Sequence, residues 1–151
     1  MLNATTLDIM ELGGQGYCCS QILVLLAMRN AGLECAPLVR AMSGLCNGFG
    51  DCSGACGVLT GGLSVLGLYA GKGSIDQQAD YTEQIPLLLE SYRDWFTDVT
   101  SEYGDITCEA IMDGNCGTVD PIKCGGLLTA AHEKLIQILQ DNNIDISELE
   151  E

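Results

Sequence analysis

Nine cysteines dominate the chemistry available to this chain of 151 residues. Their number is odd, so they cannot all pair with one another inside one chain. The first basic residue is Arg29, so no charged segment precedes an apolar stretch as in a secretory signal, and a cytoplasmic location is expected. In that compartment many cysteines mean metal or redox chemistry more often than a disulfide framework. Other catalytic groups are scarce. The single histidine, His132, lies eight residues beyond Cys124 and at the edge of its helical face, where it reads as solvated or half-buried. A cysteine–histidine nucleophile is therefore a poor reading. The GGQG and GFG segments do not follow strands, which excludes dinucleotide and phosphate loops.

The elements that must position these thiols read as helices. Residues 5–12 form a short helix with Thr5 or Thr6 as its N-cap and Gly13 and Gly14 as its stop. A second helix runs from about Cys18 to Ala31 and ends at Gly32; its ILVLLAM middle is apolar all round, so it belongs at the centre. Pro37 opens a third segment that ends in the Gly-rich stretch 44–50. Residues 52–71 carry no charge, with Ser53 as a plausible N-cap. They are long enough to cross a bilayer. Six of the twenty are Gly, however, and anchoring residues do not flank both ends, so a buried helix of a soluble bundle is the better reading. Asp76 to Tyr103 reads as a long polar helix, kinked or divided at Pro86, with Leu88, Tyr92, Trp95 (or Phe96) and Val99 as a core stripe. Thr107 caps a short turn holding Cys108 and Ile111. Asp120-Pro121 opens a last helix to about Gln140. No alternating strand pattern is present. The fold class is all-α: a bundle of four to five main helices around a Gly-rich central one. One domain is expected over 1–140, with an acidic, frayed tail over 141–151.

Helical spacing turns several cysteines inward. Cys52 and Cys56 are four apart and share a face if the helix reaches back that far. The face of Cys56 continues through Leu59, Thr60, Leu63 and Gly67. Cys124 aligns with Leu128, Ala131, Leu135 and Ile138, and Cys19 with Leu23 and Leu26. Any one of these thiols could be a small hydrophobe in the core. The glycines weigh against so plain a reading. Gly54, Gly57, Gly61, Gly62 and Gly67 lie in one predicted helix, and each costs about 1 kcal/mol relative to Ala. Backbone must come close to something there. Either helices pack tightly, or Gly57 and Gly61 clear space beside Cys56 for a cluster or a second sulfur; the two readings are compatible.

The segments GYCCSQ at 16–21, CGVLTGGLSVLGL at 56–68, YGDITCEAI and KCGGLLTAA resemble the C_GCAxxG_C_C family of redox-active proteins. The resemblance spans roughly residues 15–135. It places the family cysteines on Cys19, Cys56, Cys108 and Cys124, with Gly57 and Gly61 completing the central motif. Ser20 and Val58 stand where the family usually has Ala. The family is bacterial and archaeal, common in anaerobes and often encoded near transporters. A similar module occurs in split-Soret cytochromes, where an iron–sulfur centre accompanies the haem. This chain lacks Cys-x-x-Cys-His, so covalent haem is not expected.

With that alignment, four inward thiols match the ligand set of a [2Fe–2S] or [4Fe–4S] cluster, which the backbone around Gly57 and Gly61 would border. Zinc would accept the same donors, but its structural sites usually show Cys-x-x-Cys knuckles, absent here. Thiol–disulfide exchange, through Cys19–Cys56 or Cys108–Cys124, stays open. Cys18, Cys35, Cys46, Cys52 and Cys116 have no assigned role, although Cys46 and Cys52 could extend the site. The net charge of −15, from 6 basic and 21 acidic residues, excludes a nucleic-acid binder and a polybasic membrane-surface protein. It suits a protein redox partner with a basic face, such as a larger oxidoreductase or a transport complex. Homo-oligomerisation stays open. The leading expectation is an electron-transfer protein. The alternatives are a metal-free thiol–disulfide protein and an acidic, non-enzymatic subunit.

Overall fold

The computed structural model describes residues 3–73, 80–116 and 120–149. It is all-α. Five long helices, α1 (Ala4–Gly14), α2 (Cys19–Ala31), α4 (Gly57–Ala70), α5 (Asp80–Val99) and α7 (Lys123–Asp141), are joined by two short ones, α3 (Ala36–Met42) and α6 (Cys108–Met112). Single 3-10 turns follow α3 and α5. Among the described residues the only strand-like pairing is one antiparallel bridge, Ala55 with Thr107.

Helix ends follow their residues. Asn3 caps α1, its Oδ1 accepting from the Thr6 amide at 2.8 Å, so the cap lies upstream of the expected Thr5 or Thr6. Gly32 ends α2 in the left-handed conformation. Thr107 caps α6, accepting from the Ala110 amide at 3.1 Å. Asp120 holds the start of α7, its Oδ1 accepting from the Ile122 and Lys123 amides. α5 runs unbroken with Pro86 inside it, so Pro86 does not divide it; the expected start at Asp76 lies outside the described residues.

α4 is the central element and packs on α2, α5 and α7. Two of its glycines make that possible. A Cβ on Gly61 would lie 2.7 Å from Ser20 Cα in α2, and one on Gly62 would enter the Tyr92 ring in α5. Val58 and Leu66 of α4, Leu23 of α2, Tyr92 and Phe96 of α5 and Ala131 of α7 are fully enclosed. On α5 the buried stripe is Leu88, Tyr92 and Phe96, continued by Thr100 just beyond its end; Trp95 is half-buried and Val99 exposed, which settles the Trp95-or-Phe96 choice. The residues after α7, expected to fray, carry Ile144, Ile146 and Leu149 against the core, and the Tyr69 hydroxyl donates to the Ile146 carbonyl at 2.6 Å. No helix among the described residues is long and apolar enough to cross a membrane.

Candidate functional site

α4 begins at Gly57, with Cys56 as its N-cap, three residues later than the expected cap at Ser53. Residues 46–55 form a compact loop instead. Asn47, Gly48, Phe49, Gly50 and Cys52 all have positive φ, a run that ends helical winding and curls the chain. Cys52 is therefore off the helix, and its expected shared face with Cys56 does not exist. Gly54 also falls outside the helix. A Cβ on Gly48 would meet the Gly54 carbonyl at 2.8 Å and Cys108 Cβ at 2.9 Å, so glycine lets the loop close on α6. Backbone bonds complete the clasp: the Cys56 amide donates to Ile106 at 2.9 Å, Cys108 to Gly54 at 3.0 Å and Glu109 to Cys52 at 3.1 Å. The loop thus sets Cys52 and Cys56 beside Cys108.

α2 and α7 bring the remaining sulfurs. Cys19 is the first residue of α2 and Cys124 the second of α7. Ser20, fully buried, donates from its hydroxyl to the Met42 carbonyl at 3.0 Å and ties this end of α2 to the end of α3. Lys123 Nζ donates to the Ile111 carbonyl at 3.0 Å and lies 5.0 Å from the centre of the Tyr103 ring, which joins α7 to α6.

These elements enclose a cavity of about 30 Å³ bordered by Cys19, Cys56, Cys108 and Cys124, with Val58, Ile111 and Leu127 as its apolar wall. Gly57 borders it too; a Cβ there would lie 3.2 Å from Cys19 Cβ. Gly61, one turn further along, abuts Ser20 instead, where it serves helix packing. Cys116, Asn47 and Met112, which sequence reasoning did not place here, also border the cavity. The equal spacing of Cys108, Cys116 and Cys124 was the available signal for Cys116.

All four motif cysteines sit at helix starts, where amides are free and the dipole is positive, conditions that favour negative sulfur. Burial opposes this. At Cys56 burial wins and pushes the thiol up to about 11, against the Val58 and Leu59 amides that pull it down. Cys108 is also raised, by burial and by the charge of Cys124. Cys19 and Cys124 share a hydrogen bond, and this bond is the largest influence on both. The proton stays on Cys19, the more deeply buried, whose thiol is held well above its ordinary range. Cys124 is lowered to about 7 by accepting from Cys19. Cys124 Sγ also lies 3.4 Å from Met112 Sδ. Cys19 and Cys124 are thus electrostatically linked, a pairing that sequence reasoning had not singled out.

Four of the other cysteines form disulfides, Cys18–Cys46 and Cys52–Cys116. A pairing that the expected compartment argued against is thus present, and it leaves the motif cysteines free. Neighbouring Cys18 and Cys19 part company because Cys18 is the extended N-cap of α2 and Cys19 its first helical residue. Cys35, half-buried at the start of α3, is free.

No curated protein and no solved structure matches the chain. A family model does, over residues 17–138, under the description "Putative redox-active protein (C_GCAxxG_C_C)". That span contains the four motif cysteines at the cavity, all of α2, α4 and α6, and α7 up to its last turn. The chain belongs to the C_GCAxxG_C_C family.

Proposed function

We propose that the protein is an electron carrier that holds an iron–sulfur cluster on Cys19, Cys56, Cys108 and Cys124. The observation that carries this reading is the meeting of four free thiols from four helices around one cavity. Their chemistry fits the group: four thiols, no competing carboxylate among the residues bordering the cavity, and the Val58 and Leu59 amides bonded to the Cys56 sulfur. A bound cluster would supply one-electron transfer. The chain's part is to fix the donors and to limit water. Val58, Ile111 and Leu127 wall the site, and Gly57 brings the start of α4 next to Cys19. The electron partner is a protein with a basic face, complementary to the acidic exterior. A cytoplasmic location belongs to the same reading, with the two disulfides closing under oxidising conditions.

The contact between Cys19 and Cys124 favours one alternative, a metal-free dithiol–disulfide protein using that pair. Anaerobic purification with iron, acid-labile sulfide, absorption and EPR measurements separates the two. The cluster reading expects iron and sulfide in the wild type and their loss in Cys56→Ser with helical circular dichroism retained. Wild-type protein that stays folded and iron-free after anaerobic reconstitution refutes it. The dithiol reading expects a Cys19–Cys124 disulfide in oxidised, metal-free protein by peptide mass spectrometry, absent in Cys19→Ser and intact in Cys56→Ser.

A further inference from the structure

A second group of sulfurs adjoins the cavity. The Sγ atoms of Cys52, Cys108 and Cys116 all lie within 4.8 Å of one another. Two of them are the Cys52–Cys116 disulfide, and the third is a free thiol. Cys52 and Cys116 are half-buried, so solvent reaches the disulfide, and the Cys108 sulfur is enclosed beside it. Cys108 and Cys116 both border the four-thiol cavity, whereas Cys52 does not. Cys108 is therefore common to both groups. The arrangement is held by backbone rather than by the disulfide alone, because Cys108 and Glu109 donate to Gly54 and Cys52 in the loop. The Cys18–Cys46 disulfide differs: its neighbours are the Ser20 hydroxyl and the Gln21 side chain, with no free thiol beside it.

We infer that Cys52, Cys108 and Cys116 form a thiol–disulfide exchange site, adjoining the four-thiol pocket and sharing Cys108 with it, with Cys108 as its nucleophile. Exchange requires a thiolate to reach one sulfur of a disulfide in line with the bond. Cys108, giving up its proton, attacks one sulfur of Cys52–Cys116. A new S–S bond forms as the old one breaks. The displaced cysteine leaves as a thiolate and takes up the proton. The number of S–S bonds is unchanged, so the step needs no oxidant or reductant. Full opening to three thiols takes two electrons and two protons, delivered by a dithiol reductant. Where exchange joins Cys108 to Cys116, the neighbouring pocket keeps three thiols; where it joins Cys108 to Cys52, the freed Cys116 thiol borders the pocket in its place. That consequence rests on the cluster reading; the exchange itself does not.

Disulfide mapping tests the exchange in metal-free, full-length protein. Cys52→Ser and Cys116→Ser variants are oxidised, quenched in acid, alkylated with N-ethylmaleimide and mapped by peptide mass spectrometry. The expected result is a Cys108–Cys116 disulfide in Cys52→Ser and a Cys52–Cys108 disulfide in Cys116→Ser, each in most molecules. The same two species are expected as minor isomers in partly reduced wild type, which reads the site even if a variant fails to fold. Cys108 fully alkylated in both folded variants, or Cys52–Cys116 as the sole form of these three residues at every redox poise, overturns the inference. Iron is not read in this experiment, so its failure leaves the cluster reading standing. Conversely, iron-free protein that still gives the mixed disulfides removes the cluster and keeps the exchange site.

Discussion

Gly61→Ala is the sharpest test of how α4 positions the cavity. The added Cβ would stand 2.7 Å from Ser20 Cα and 2.9 Å from Ser20 O. These are backbone atoms of a packed helix and cannot rotate away. Comfortable carbon–carbon contact begins near ~3.5 Å, so α2 must retreat by roughly 0.8 Å at this point. Overpacking of this kind costs about 1–3 kcal/mol, and Ala in place of a helical Gly returns about 1 kcal/mol. With rigid atoms on both sides the cost lies toward its upper end, so a net loss of about 1–2 kcal/mol is expected. For a chain of this size that corresponds to a Tm lower by roughly 2–8 °C. Gly126→Ala in α7 is the matched control, because a Cβ there meets nothing within 4 Å. It gains the helical preference alone, about 1 kcal/mol, and its Tm rises. Urea titrations and thermal melts of the metal-free proteins read both changes. Since Ser20 follows Cys19, iodoacetamide should also label Cys19 faster in Gly61→Ala. A Gly61→Ala protein as stable as Gly126→Ala would refute the claim that this glycine exists for close packing.

Two further outcomes follow from buried polar groups. Tyr92→Phe removes a buried hydroxyl that donates to the Val58 carbonyl at 2.7 Å beside the cavity wall, and should cost about 1 kcal/mol in urea unfolding. His132 is buried, and burial lowers its pKa below the usual value of 6.5, against small opposing effects of Glu133 and Asp8. The unfolded chain therefore takes up a proton here first as pH falls. The neutral histidine costs nothing above about pH 6.5, and stability is lost progressively below it. Unfolding midpoints at pH 7.5 and 5.5 should diverge more in wild type than in His132→Leu; equal pH dependence in the two proteins would contradict this.

Much of the helical frame was legible because glycine and proline punctuate it. Gly32, Pro37 and Thr107 stand at or beside the ends expected of them, for reasons local to a few residues. The start of α4 was not. Ser53 has the composition of a cap, but the left-handed run from Asn47 to Cys52 depends on loop closure against α6, a contact across more than fifty residues. The inward turn of Cys19, Cys56 and Cys124 followed from helical spacing, whereas Cys108, in a single turn, came only from the family pattern. Disulfide connectivity lies beyond spacing altogether, since nine cysteines permit many pairings. Ser20 shows the same limit: an apparent small departure from the family proves to be a buried donor to Met42.

The charge of the cavity runs against that of the whole molecule. The chain carries −15, yet its motif sulfurs sit where helices begin and positive partial charge collects. Helix starts alone do not ionise them. Burial holds Cys56 and Cys108 above the ordinary thiol range, and only Cys124, bonded to Cys19, is drawn below it. The resting cavity therefore presents chiefly neutral thiols with one sulfur ready to ionise. Such thiols give up their protons when a metal takes the sulfurs or when an oxidant joins them. Both events are redox chemistry of sulfur, which is why the cluster and dithiol readings grow from one geometry. What divides them is whether four sulfurs act together or two, and Cys56, needed by the first and idle in the second, is the residue that tells them apart.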